Sequence, residues 1–478
     1  MPDRERRPGA SVVALLLAAV LAVAGLAVAG GLPSQRFGSH PARGALDVSP
    51  PADLPVPDVR PPQPVLATDE AGPAVRAAEV RDRLQPLLRD RALRRHVGVA
   101  VADLATGRVG WDNLGGDFAR ERFTPASTLK LFTTVAALEV LGPAHRFSTS
   151  VVRVPGRGTP RLVLVGGGDP LLARQAAPEA GYPVQATLTG LATQTAQALR
   201  RDGVRRVGLG YDASLFAGPA VSPAWEPSYV PNDVVTAISA LWVDEGRLPG
   251  SGGRSTDPAR TAADAFAAML ERRGVRVAGR VVPGSGDGGT GLAQVFSAPL
   301  DQLVAHTLQL SDNEAAEVLL RHVGLGTGDR GSFLGGVAAV RKTLTGLGVP
   351  MTGVTLHDGS GLSRDDRVTL PAMLAVLGLA ATGDDSLRSV GTELPMAGFS
   401  GSLSYRFTSP AARAGLGTVQ AKTGTLTGVH ALAGTLLDRD GTALVFVALA
   451  DRVPVALTLD ARDRLDEIAA TLAACGCS

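Results

Sequence analysis

The sequence predicts an α/β protein of the α+β kind, with a smaller α+β domain inserted into it. Three observations carry this reading. A strand-pair pattern between residues 97 and 111 leads into an uninterrupted apolar helix at 127–141. A middle stretch, 147–290, changes texture to short β-like runs broken by Gly and Pro. Three β runs and a final helix then close the chain.

Taken in order, Ala74 to His96 carries helical spacing at Val75, Val80, Leu84, Leu87, Leu88 and Leu93, with Pro86 expected to kink or split it. Val97–Ala102 alternates as a strand, and Gly107 turns the chain back into Val109–Trp111. Thr124-Pro125-Ala126 opens the helix Ser127–Leu141, which Gly142-Pro143 ends. In the middle stretch, strands are expected at Ser148–Val154, Leu162–Val165, Val204–Tyr211 and Val275–Val282, and helices at Gln185–Arg201 and Asp257–Arg273. Helical spacing returns in Leu300–Leu310, Asn313–His322 and Ser332–Leu347. Strands follow at Gln420–Lys422, Gly428–Leu437 and Thr442–Ala450, and Asp460–Ala474 is the last helix.

The N-terminus differs from all of this. Arg4, Arg6 and Arg7 precede an uncharged run from Gly9 to Ser34, rich in Ala, Leu and Val, so residues 1–34 read as a signal peptide or a membrane anchor. Ala27-Val28-Ala29 resembles a cleavage site, and the positive flank places the rest of the chain outside the cytoplasmic membrane. Nine prolines in the 33 residues from Pro41 to Pro73 make 35–73 a disordered, extended linker. The expected division is therefore 1–34, 35–73, a main domain of 74–146 and 291–478, and an inserted domain of 147–290.

Composition excludes several functions. With 47 basic and 45 acidic residues the net charge is +2, too even for a nucleic-acid partner. The two cysteines, Cys475 and Cys477, supply neither a disulfide framework nor a four-ligand zinc site, and the seven histidines have no ligand spacing, so no metal or other cofactor is implied. One bias stands out: of the 47 basic residues only Lys130, Lys342 and Lys422 are lysine. An amine can lose its proton at working pH and a guanidinium cannot, so a lysine that survives this bias is a candidate for proton chemistry.

Two of those lysines fall in motifs. In Ser127-Thr128-Leu129-Lys130, a serine three residues ahead of a lysine shares a helix face with it, and a buried lysine of lowered pKa can act as base for the hydroxyl. Ser311-Asp312-Asn313 reads equally as a helix N-cap. Lys422-Thr423-Gly424-Thr425 reads equally as a strand end with a turn glycine. Each motif alone has a bland reading, but their joint occurrence in this order does not.

This trio resembles the active-site set of penicillin-binding proteins and serine β-lactamases. Further segments resemble one branch, the D-alanyl-D-alanine carboxypeptidase/endopeptidase family of low-molecular-mass class C, peptidase family S13. They are Pro125-Ala126-Ser127 through Leu141-Gly142-Pro143, Gly166-Gly167-Gly168-Asp169-Pro170, Asp358-Gly359-Ser360-Gly361-Leu362-Ser363-Arg364, Leu394-Pro395 with Ala397-Gly398, and Lys422 through Leu432. The similarity covers roughly residues 75–470 and implies a β-lactamase/DD-peptidase-like transpeptidase fold. It also implies peptidoglycan stem peptides ending in D-Ala-D-Ala as substrate, β-lactam antibiotics as covalent inhibitors, and an extracytoplasmic location in the cell envelope.

By the same resemblance, Ser127 is the nucleophile and Lys130 its base. Ser311 relays the proton to the leaving amine, and Asn313 holds the substrate amide and Lys130. Lys422 supplies positive potential, Thr423, Gly424 and Thr425 meet the substrate's carboxylate, and the amides of Ser127 and Thr425 form the oxyanion hole. Leu362 and Arg364 line the cleft, although Arg364 also reads as a surface arginine and Asp169 as a turn residue. Fewer residues separate Ser127 from Ser311 than in the best-known members, which carry two nested extra domains there, so one inserted domain is expected. Two rival functions stay open: a β-lactamase, against which no E-x-x-x-N element is seen, and a wall-binding scaffold with a dead site.

Overall fold

Why the chain builds two separate sheets follows from its strand patterns. The structure, a computed structural model, describes residues 75–93, 95–177, 181–250 and 252–477. The expected leader or anchor and the Pro-rich linker lie outside the described residues. Among the described residues no helix is long and apolar enough to cross a membrane.

The first sheet is antiparallel and five-stranded. It comprises β1 (Val97–Asp103), β2 (Val109–Asp112), β9 (Val419–Leu426), β10 (Val429–Leu437) and β11 (Ala443–Ala450), in the order β2-β1-β11-β10-β9. β11 is buried along nearly its whole length, and its side chains alternate between two cores. Val445, Val447 and Leu449 face one, whereas Leu444, Phe446, Ala448 and Ala450 face the other. The second core is closed by helix α1 (Ala77–Leu88) and the last helix, α10 (Thr458–Ala473). The first holds α2 (Lys130–Leu141), α5 (Leu300–Gln309), α6 (Asn313–Gly326), α7 (Phe333–Gly346) and α8 (Leu370–Thr382). The result is a sheet covered on both faces, with α2 at the centre: its residues Lys130 to Leu138 are buried without a break.

The second sheet occupies the middle of the chain. It joins β3 (Ser148–Val154), β4 (Arg161–Val165), β5 (Arg206–Asp212), β6 (Arg276–Val277) and β8 (Thr290–Phe296) in the order β6-β5-β4-β3-β8, and β7 (Val282–Pro283) pairs with β5. Helices α3 (Leu188–Arg201) and α4 (Pro258–Arg272) pack on it around a core of its own. Thr187 and Asp257 cap these helices by accepting from Gly190 N and Arg260 N. No sheet other than this one lies between residues 127 and 311 among the described residues.

Several expectations need correction. The first helix stops at Leu88 rather than running to His96, and Asp90 turns the chain just beyond it, its Oδ1 accepting from Ala92 N at 2.8 Å. The apolar helix expected from Ser127 starts as a 3₁₀ turn, Ala126–Leu129, and becomes α-helical at Lys130. Val275–Val282 is two short strands rather than one. The sheet's strand β8 begins at Thr290, so the boundary expected at residue 290 cuts through the strand that pairs with β3. Helix α8 is absent from the expected elements: it is apolar nearly all round and carries no amphipathic stripe, although Thr369 caps it and Pro371 sits in its first turn. Finally, Cys475 and Cys477 pair with each other, and Arg76 N donates to Cys477 O at 2.6 Å, tying the C-terminal segment to the start of α1.

Candidate active site

The three motifs come from three different elements and meet at one serine. Ser127 lies in the 3₁₀ turn ahead of α2, where Ala126 has φ +46°, a left-handed conformation that an alanine adopts only at a cost. The strain is held from two sides. Gly361, at φ +82°, packs so closely beneath the turn that a Cβ there would sit 1.9 Å from Ala126 O. A Cβ on Gly424 would sit 2.7 Å from Pro125 O. The K-T-G glycine is thus fixed by the approach of β9 to the nucleophile's turn, and a turn at the strand end is not its reason.

Lys130 is fully buried, with its Nζ 3.1 Å from Ser127 Oγ, 2.8 Å from Asn313 Oδ1 and 2.9 Å from Ser360 O. The set has a chemical meaning. Asn313 Oδ1 and Ser360 O can only accept, so a neutral amine spends its two N–H bonds on them and leaves its lone pair for the Ser127 hydroxyl. Burial drives that neutral form, pushing Lys130 down to about 8 although Glu317, Asp358, Asp312 and Glu314 pull the other way.

Ser311 and Asn313 flank the N-cap of α6. Asp312 is the cap itself, accepting from Ala315 N at 2.9 Å, so the bland reading of this motif holds for its middle residue. Ser311 adopts φ +58°, and its Oγ accepts from Lys422 Nζ at 2.8 Å. Lys422 is also fully buried, and burial together with the nearby Lys130 charge holds its amine well below the usual lysine value. β9 is the edge strand of its sheet. Ala421 N donates to Pro395 O and Ala397 N to Val419 O, so the odd-numbered residues of β9 turn their peptide groups to the free edge. By that alternation the Thr423 and Thr425 amides point there too, on the side of the Ser127 turn. Ser402 Oγ lies 2.8 Å from Thr423 Oγ1.

A loop of buried carboxylates backs the site. Asp358 accepts from Gly361 N and Ser363 N, both at 2.7 Å, and from Trp225 Nε1 at 2.8 Å. Glu317, one turn beyond Asn313 on α6, accepts from Gly359 N and Ser360 N at 3.0 and 2.9 Å. Asp358 enters the sequence reading only as the first residue of the Asp358–Arg364 segment, without a role, and Glu317 does not enter it at all. Glu317 carries one usable signal, its i+4 spacing from Asn313, whereas the partners of Asp358 are visible only in three dimensions.

Two of the expected cleft residues fare differently. Leu362, expected to line the cleft, is instead packed in the core at 4% exposure, because the left-handed Gly361 turns the chain inward there. Arg364 stays at the surface, donating to Glu226 and, at 3.0 Å, to Thr427 O just past the third motif. Asp169 is a turn residue, accepting from Leu171 N at 2.9 Å. Lys342 lies on α7, and nothing in the structure explains its being a lysine.

One group of side chains beside the second motif has metal-ligand chemistry. Glu245, His306 and Asp312 bring one donor atom each within 4.8 Å of one another. Their polar atoms already have partners inside the protein. His306 Nε2 is 3.0 Å from Asp312 Oδ2, Arg247 contacts Glu245, and burial with the Asp312 charge pushes Glu245 up to about 9.

Comparison with known proteins gives the family. A carboxypeptidase of Mycobacterium tuberculosis is 34% identical over 383 residues, covering 79% of this chain and 80% of its own. The D-alanyl-D-alanine carboxypeptidase of an Actinomadura species is 32% identical, covering 79% and 81%. Penicillin-binding protein 4 of Haemophilus influenzae shares the fold at TM-score 0.68 and 24% identity, over 81% of this chain and 98% of that one. The model of the D-Ala-D-Ala carboxypeptidase 3 (S13) family matches residues 80–251 and 250–472. With matches over so much of its length, the chain belongs to the D-Ala-D-Ala carboxypeptidase 3 (S13) family of peptidases.

Proposed function

We propose that this protein is a serine-type D-alanyl-D-alanine carboxypeptidase/endopeptidase acting on peptidoglycan stem peptides, and that penicillin inhibits it by acylating Ser127. The observation that carries the reading is the buried Lys130 amine, 3.1 Å from Ser127 Oγ and biased toward its neutral form. Ser127 Oγ attacks the carbonyl carbon between the two D-alanines while Lys130 takes the hydroxyl proton. The amides of Ser127 and Thr425 stabilise the oxyanion, a contribution typically of several kcal/mol. The C–N bond then breaks, and the proton taken up by Lys130 passes through the Ser311 hydroxyl, held by Lys422, to the departing amine, which restores neutral Lys130 and the Ser311 hydroxyl. Thr423 and Thr425 bind the terminal carboxylate, with Gly424 keeping β9 close to the nucleophile. Asn313 positions both Lys130 and the substrate amide. Water finally hydrolyses the ester and frees Ser127. Arg364, bridging Glu226 and Thr427, is placed to meet the stem peptide's side chain; Leu362, being buried, is dropped from that role.

The same reading places the catalytic unit in residues 75–146 and 297–477, with the inserted domain at 147–296. It also places the protein outside the cytoplasmic membrane, exported or anchored by residues 1–34. A β-lactamase would turn over a chromogenic β-lactam rapidly, whereas this reading requires a long-lived adduct. A dead scaffold would take no label from fluorescent penicillin. The decisive experiment digests purified muropeptide monomers and dimers with wild-type and Ser127→Ala protein. Release of D-alanine or cleavage of cross-links by wild type and not by the variant is the expected result; equal cleavage by both refutes the mechanism.

A further inference from the structure

Lys130 is held by two arms of unequal obviousness. Asn313 reaches it directly, at 2.8 Å. The second contact, Ser360 O at 2.9 Å, comes from a loop that must itself be held in place, and the group that holds it is Glu317. Glu317 is completely buried, four residues after Asn313 on the same face of α6. Its two oxygens take the N–H groups of Gly359 (3.2 and 3.0 Å) and Ser360 (2.9 Å). Those amides flank the peptide whose neighbouring carbonyl grips the lysine. Thr133 Oγ1, on α2, donates to Gly359 O at 2.7 Å and locks the same loop from the other side.

We propose that Glu317 is a positioning residue for the general base: its carboxyl group fixes the Gly359–Ser360 segment so that Ser360 O and Asn313 together aim the Lys130 amine at Ser127. The inference rests on the mechanism proposed above. A structural staple alone would need no charge, since a neutral acceptor can take backbone N–H bonds at this site. Here the pattern of contacts is one of acceptance only, which suits the carboxylate that Glu317 becomes as pH rises past about 8.

The charged groups around Glu317 define what its removal does. From α2 comes Lys130; from the loop come Asp358 and Asp366; from α6 itself comes Arg321. Asp366 is raised well above the usual carboxylate range, by burial first and Asp358 second, and Glu317 is raised to about 8 by burial and the same Asp358 charge. Glu317 is first among the negative charges that support the Lys130 ammonium. Without it, Lys130 loses its proton at lower pH, while its orientation deteriorates.

The test measures the second-order rate constant of acylation by penicillin from pH 5.5 to 9.5 in the full chain, for wild type, Glu317→Gln and Glu317→Asp, with circular dichroism to establish folding. Glu317→Gln is expected to lower the plateau rate and to move the limb near pH 8 to lower pH, because there the carboxylate and the Lys130 amine titrate together. Glu317→Asp, which keeps the charge, should lower the plateau and leave the limb in place. A folded Glu317→Gln protein with the wild-type pH profile overturns the proposal. Should Glu317→Gln not fold, Glu317→Asp decides: a wild-type plateau overturns the proposal, and a lowered plateau with an unmoved limb upholds it. No acylation of wild type at any pH would sink the underlying mechanism instead, and this inference with it.

Discussion

Replacing Lys130 by arginine separates charge from proton chemistry, and the structure sets the size of the effect. The Lys130 amine is lowered to about 8, so near pH 8 about half of it is neutral and able to accept the Ser127 proton. A guanidinium keeps its proton above pH 12, leaving less than about one molecule in 10,000 neutral at the same pH. The loss of base alone thus predicts a fall in acylation of three to four orders of magnitude, roughly the upper range for removing a general base. Geometry adds to it. Lys130 fills a fully buried socket whose three partners, Ser127 Oγ, Asn313 Oδ1 and Ser360 O, lie at 2.8–3.1 Å from one nitrogen, and a planar five-donor fork cannot match that arrangement. The assay is single-turnover labelling with fluorescent penicillin at pH 8, for wild type and Lys130→Arg, with folding checked by circular dichroism. A folded variant that acylates within tenfold of wild type would show that a positive charge suffices and would refute the general-base assignment.

Two further outcomes are expected. In Gly361→Ala, the new Cβ meets Ala126 O at 1.9 Å in a left-handed backbone, so the nucleophile's turn must move by about an ångström. Such a shift costs on the order of 100-fold in acylation, and the φ adds about 1–2 kcal/mol of instability; wild-type acylation kinetics in that variant would show that the turn is not held from below. His96 is hydrogen-bonded between Asp451 and Glu121 and stacks on Phe123, just ahead of the nucleophile's turn. The hydrogen bond to Asp451 raises its pKa above 6.5 against the pull of burial, so its stabilisation is complete below that value and is lost as pH rises through the higher folded one. The stability gap between wild type and His96→Gln, from denaturant unfolding, should therefore be larger at pH 6 than at pH 9, and a gap equal at both would remove the ion pair as its cause.

The proposed catalytic residues are legible in the sequence because their chemistry leaves marks on composition. In a chain that writes arginine almost everywhere, Lys130 stands where the proposed mechanism needs an amine that loses its proton, and Lys422 where a buried amine meets Ser311. Strands β10 and β11 are legible for a different reason: burial on both faces of the sheet leaves short, nearly continuous apolar runs. Helix α8 is not legible, because burial on nearly every side erases the stripe that reveals a helix. Leu362 departs from its expected place because sequence resemblance gives a residue's neighbourhood and not the direction of its side chain, which the left-handed Gly361 reverses.

By itself, then, the sequence determined the fold class and the three motifs, which depend on residue type and local spacing, and through a family resemblance it proposed Ser127 as nucleophile and Lys130 as base. The tertiary structure alone decided how the base is held. Glu317, Asp358, Ser360 and Trp225 act through contacts between segments 40 to more than 200 residues apart. No local pattern encodes such contacts, because they arise only when α6, the 358–364 loop and the loop following β5 pack around one buried amine.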